Sequence, residues 1–167
     1  MSVSLKPTAL ALAVSMLFPV AHALEVDVTT NVPGSLTHYT GILNPVSDFD
    51  EDVLIIGKDV PDNIYRAYGY FNNAGTENRI NGNLSVSNAE LEKDPQIFGV
   101  RLEKGSSLTV LGDTLVTSKT NSSMSIGISV FDDGSTLDLS HANTVVNVAS
   151  HTGRIFGIAV EGTSKAF

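Results

Sequence analysis

Beyond residue 24 the apolar positions recur in bursts of four or five residues that alternate with polar ones and close on Gly, Asp, Asn or Ser. One set reads Gly99-Val100-Arg101-Leu102, Ser107-Leu108-Thr109-Val110-Leu111 and Thr114-Leu115-Val116-Thr117. The next reads Ile128-Ser129-Val130-Phe131, Thr136-Leu137-Asp138-Leu139 and Thr144-Val145-Val146-Asn147-Val148. Period-two alternation in short β-branched runs predicts strands. Asp132-Asp133-Gly134 and Ser140-His141-Ala142-Asn143, which separate them, are turn compositions. No window after residue 24 carries a helical period over the ten or more residues that a helix needs.

These bursts belong to a longer period. Four times an aromatic or aliphatic residue leads into Gly, an apolar stretch follows, and a second Gly arrives with Ser or Thr behind it: Tyr68 to Thr76, Phe98 to Ser106, Ile126 to Ser135 and Phe156 to Thr163. The leading glycines Gly69, Gly99, Gly127 and Gly157 follow one another at thirty, twenty-eight and thirty positions, and the second ones are Gly75, Gly105, Gly134 and Gly162. A near-constant period of this size marks a stacked repeat, each unit burying its apolar face against its neighbours. Three short strands per period with tight turns predict a right-handed parallel β-helix, its coils about 4.8 Å apart. An antiparallel β-sandwich is the alternative, since it too has short strands and regular turns, but it requires no motif at a constant interval. Alternation then points Leu108, Val110, Leu137, Leu139 and Val146 inward and Thr109 and Asp138 to solvent. The eight glycines are expected at repeat corners, the second of each pair at positive φ with the following hydroxyl bonding nearby backbone.

Residues 1–23 have the composition of a cleavable signal peptide: Lys6, an apolar run from Ala9 to Val20 broken by Pro19, and Ala21-His22-Ala23 before a cut at Ala23/Leu24. The run of about a dozen residues is short of the ~20 needed to span a bilayer as a helix. Residues 24–63 lack the full motif and include Asp48 to Asp52, with four acids in five positions, so they are expected to form an N-terminal cap. Gly41 precedes Gly69 by the same interval that separates Gly99 from Gly127, yet no Gly-Ser/Thr pair follows it. Residues 64–167 are the repeat region. The chain has no Cys, so its stability must come from stacking without disulfides. With Lys6 removed, nine basic residues remain against 18 acidic ones, a balance that disfavours nucleic acid and anionic membranes as partners.

The segments Gly99 to Val110 and Gly127 to Leu139 resemble coils of autotransporter passenger domains, the pertactin-like β-helices of Gram-negative bacteria, and the likeness spans roughly residues 64–167. The resemblance implies export through the inner membrane and a place in the periplasm, on the cell surface or in the medium. It also implies a C-terminal membrane β-barrel, whose ten-residue lipid-facing strands do not occur in this chain; Phe167 falls one strand into the fourth repeat, so a fragment or truncated product is expected.

Candidate chemistry is sparse. His38 stands alone, and His141 and His151, ten residues apart in successive turns, match no common zinc spacing. Asp132, Asp133 and Asp138 suggest the calcium-binding face of β-helical polysaccharide lyases, but Glu103, Lys104 and Thr109 occupy the equivalent places one coil earlier and Asp-Asp-Gly is also a plain turn. Ser106, Ser107 and Ser135 follow glycines with no activating His or carboxylate at a recurrent offset, which makes them corner residues. Tyr65, Tyr68, Tyr70 and Phe71 form an aromatic cluster that suits either sugar stacking or a plug closing the first coil. The expectation is a non-enzymatic adhesin or passenger stalk without metal or cofactor, whose partner is a host surface or glycan. A pectin-lyase-like polysaccharide-degrading enzyme on the same fold, lyase or glycosidase, is the alternative.

Overall fold

The computed structural model describes residues 23–58, 63–88, 95–120, 124–150 and 153–167, and the regular elements among them are all strands. They wind into a parallel β-helix of about four turns with three sheets. Sheet A stacks β1 (Ala23–Asp27), β4 (Asp52–Ile56), β7 (Leu84–Ser87), β10 (Thr114–Thr120) and β13 (Thr144–Ser150). Sheet B stacks β2 (Thr30–Asn31), β3 (His38–Leu43), β5 (Arg66–Asn72), β8 (Gln96–Leu102), β11 (Met124–Val130) and β14 (Arg154–Val160). Sheet C holds β6 (Glu77–Ile80), β9 (Ser107–Val110), β12 (Thr136–Asp138) and β15 (Lys165–Ala166). All neighbours pair in parallel except β2, which lies antiparallel on β3 and covers the first edge of sheet B.

The alternation in the sequence becomes ladders inside the coil. Val26, Ile55, Val86, Val116 and Val146 stack in register on sheet A, while Leu108 pairs with Leu137 on sheet C. Leu108, Val110, Leu137 and Leu139 are buried and Val146 packs partly against them, as the alternation requires; Thr109 and Asp138 are only half-buried. Ile128 and Val130 are fully buried, whereas Ile158 and Val160, their partners on β14, are 52% and 43% exposed.

Residues 24–58 contain a coil of their own. Thr40 and Ile42 pair with Tyr68 and Tyr70, which puts Gly41 beside Gly69, and β4 continues sheet A. The missing Gly-Ser/Thr turn has a physical substitute: the Asn78 side-chain amide donates to the carbonyls of Pro45 (3.0 Å) and Ser47 (3.3 Å), and sheet C is reduced there to a single Phe49–Ile80 bridge. The acidic run caps the next coil's backbone, Asp48 accepting from the Arg79 N–H and Asp52 from the Asn83 N–H, both at 2.8 Å. The last of these starts a ladder in which Asn83 accepts from the Asp113 N–H and Asp113 from that of Asn143. Acid and amide alternate along it, so like charges do not stack on adjacent coils.

The two glycines of each repeat play different parts. Gly75, Gly105, Gly134 and Gly162 occupy corners at φ between 70° and 85°. The N–H groups of the first three bond the hydroxyl one coil on, Gly75 to Ser106 and Gly105 to Ser135 at 3.1 Å and Gly134 to Thr163 at 3.2 Å. Gly69, Gly99, Gly127 and Gly157, expected at corners, instead lie inside sheet B strands. The buried ladders show why: Ala67 and Tyr70 belong to the interior while Tyr68 and Phe71 belong to a separate outer cluster, so the strand kinks at Gly69 and brings its backbone toward sheet A. Gly105→Ala has room for its Cβ, the nearest atom being 3.8 Å away, and is expected to cost ~1–2 kcal/mol from the left-handed backbone alone, measured by urea unfolding.

Candidate functional site

At Gly69 the break in alternation turns Tyr68 and Phe71 to the same outer face of sheet B, where their rings meet. Tyr68 stacks on Phe71 at 4.6 Å and on Phe98 of the next coil at 5.0 Å, and Val32 and Ile126 complete this buried outer cluster. The residues before the leading glycines, Tyr68, Phe98 and Ile126 on successive coils, are in register and form the outer ladder of this cluster. The predicted aromatic cluster divides: Tyr70 points into the core, Tyr68 and Phe71 line the outer face, and Tyr65 stays half-exposed. Burial drives the Tyr70 phenol well above its ordinary value, so it stays neutral beside Asn78.

Three of the four arginines in the sequence, Arg66, Arg101 and Arg154, lie on this one face of a protein with net charge −8. Their settings differ. Arg101 lies over the rings of Phe98 (4.9 Å) and Phe131 (5.1 Å), and its Nε donates to Glu103, which neutralises it. Arg66 has no carboxylate partner among the described residues. Its Nε donates to Gln96 Oε1 at 3.0 Å, Gln96 Nε2 donates to the Tyr65 hydroxyl at 3.0 Å, and the guanidinium sits 5.7 Å from the Tyr65 ring centroid. His38 packs against Tyr65 at 6.1 Å and edge-on to Tyr68 at 6.2 Å. Desolvation, and then the Arg66 charge, hold its pKa below the usual histidine value. His38, Arg66 and Gln96 are in register on β3, β5 and β8, so three successive coils build the cluster.

The remaining candidates are occupied by local structure. Asp138 accepts from the Ser140 hydroxyl at 2.7 Å and the Ser140 N–H at 2.9 Å, bonds that lower its pKa, and His141 approaches it to 3.5 Å. Asp133 accepts from the hydroxyl and N–H of Thr163. Among the described residues no three His, Cys, Asp or Glu side chains are placed to hold a metal ion. Ser106 and Ser135 serve the corner ladder, while Ser107 starts β9. His151 and residues 1–22 lie outside the described residues; Ala23 and Leu24 open β1, where Leu24 pairs with Val53, so a cut between them preserves the register from Leu24 onward. Arg66 and Gln96 are separated by one repeat period, the same step as from Gly69 to Gly99, and that was the available signal for the cluster that sequence reasoning missed. No protein family, curated protein or solved structure gives a significant match to this chain.

Proposed function

We propose that this chain is the N-terminal part of an exported, non-enzymatic passenger of the autotransporter kind, acting as an adhesin or stalk in the periplasm, at the cell surface or after release. The observation that carries the reading is a parallel β-helix of about four turns directly preceded in sequence by a segment with signal-peptide composition. A solenoid displays long side-chain ladders and needs no central pocket, which suits contact with an extended partner. The resemblance of Gly99 to Val110 and Gly127 to Leu139 to passenger coils supports the same assignment.

The coding sequence downstream of Phe167 tests it. A terminal segment of ten-residue strands alternating apolar and polar is expected; further coils with clustered Asp and Arg and no barrel would replace this reading by a polysaccharide lyase or glycosidase. Export is tested separately. Intact-mass analysis of periplasmic material should give a chain beginning at Leu24, and a soluble exported product that retains Met1 would overturn the signal-peptide assignment.

A further inference from the structure

We propose that the Tyr65–Arg66–Gln96–His38 cluster on the outer face of sheet B is a binding site for a carboxylated sugar residue. The hydrogen-bond arithmetic of the cluster leads there. An arginine Nε only donates, so the Gln96 oxygen must face Arg66 and its NH₂ must face Tyr65. The Tyr65 oxygen is thereby an acceptor, and its own proton has no acceptor among the described residues. The Arg66 terminal nitrogens likewise have no carboxylate among them. The donors that the cluster leaves to solvent are thus a guanidinium fork and a phenol proton, and the ligand group that best replaces water on them is a planar carboxylate that the fork grips with two bonds.

The neighbouring ring narrows the class of ligand. Tyr65 is 51% exposed, so the part of its ring that Arg66 and His38 leave uncovered offers apolar surface of the kind that packs on the C–H face of a pyranose. Charge among the described residues favours an acid here: the corner between sheets C and A carries Asp48, Asp50, Glu51, Asp52 and Asp113, whereas the strands of this face carry Arg66 and Arg154 and no carboxylate. Arg101 does not make a second such site, because Glu103 already occupies it. The packing is also preformed, since Gln96 ties Arg66 to Tyr65 and His38 buttresses the ring.

The inference deepens the adhesin reading and rests on it for its biological sense, while its test measures binding alone. Failure to bind would remove the site and leave the passenger assignment to the downstream sequence. Isothermal titration of the exported chain would use trigalacturonate and 3′-sialyllactose, which present a carboxylate from two sugar classes. Their neutral counterparts, methyl-esterified trigalacturonate and lactose, and a hexaglutamate peptide complete the set. Saturable binding of at least one acidic sugar is expected, with its neutral counterpart and the peptide inactive. Arg66→Gln should weaken binding roughly tenfold or more, the scale of a lost charge-assisted pair, and Arg79→Gln, at an exposed position on sheet C, should leave it unchanged. Tyr65→Phe keeps the ring and removes the hydroxyl, both the donor to the ligand and the acceptor of the Gln96 amide, so a loss of several-fold is expected from it and decides the matter if Arg66→Gln does not fold. Absence of binding, equal binding of the neutral sugars, preference for the peptide, or full affinity in folded Arg66→Gln or in Tyr65→Phe would overturn the proposal.

Discussion

Gly99→Ala is expected to destabilise the fold by about 3 kcal/mol or more, at the upper end of overpacking costs, whereas Gly157→Ala should be neutral or stabilise by up to ~1 kcal/mol. A Cβ built on Gly99 would lie 2.2 Å from Val116 Cγ1 and 2.5 Å from the carbonyl oxygen of Gly127. The first is a short, stiff side chain in the core, and the second is backbone tied into β11, so neither can retreat cheaply. Gly157 holds the same place in the repeat one coil beyond Gly127, has nothing within 4 Å of its Cβ, and therefore isolates crowding from any intrinsic preference of the strand for glycine. Urea unfolding of both variants gives the comparison. Equal midpoints would show that the kink in sheet B is not imposed by the approach of the two backbones.

That contrast also explains what the sequence revealed and what it withheld. The near-constant interval between the leading glycines and the alternation within Ser107–Val110 and Thr136–Asp138 were enough to place three strands per coil and to name Leu108, Val110, Leu137 and Leu139 as core, because both are local patterns. The role of Gly99 was not local. It depends on Val116, seventeen positions later and across the interior, and on Gly127 in the next coil. The first coil was obscured for a similar reason, since Asn78 supplies from the following coil the hydrogen bonds that a Gly-Thr turn and a strand would otherwise provide. Aromatic density drew attention to Tyr65, Tyr68, Tyr70 and Phe71 as one cluster, but the kink at Gly69 divides them between core and surface. Arg66 and Gln96 meet only because the period carries them to the same position on adjacent coils.

The inward ladders set the second large effect. Leu108→Asp should cost several kcal/mol, because Leu108 is 1% exposed and stacks between Asn78 and Leu137, where a carboxylate loses its hydration with no cation to pair with. The adjacent Thr109 points the other way. Its ladder neighbours are Arg79 on one side and Asp138 on the other, so Thr109→Asp meets one attraction and one repulsion at the surface and should change stability by no more than ~0.5 kcal/mol. Raising the salt concentration should compress even that difference, since exposed charges are screened, while leaving the Leu108→Asp penalty nearly intact. Thermal and urea unfolding of the two variants at low and high salt would separate the cases. Similar losses for both would mean that the side-chain alternation along β9 does not divide core from solvent, and the stacking of the coils would have to be redrawn.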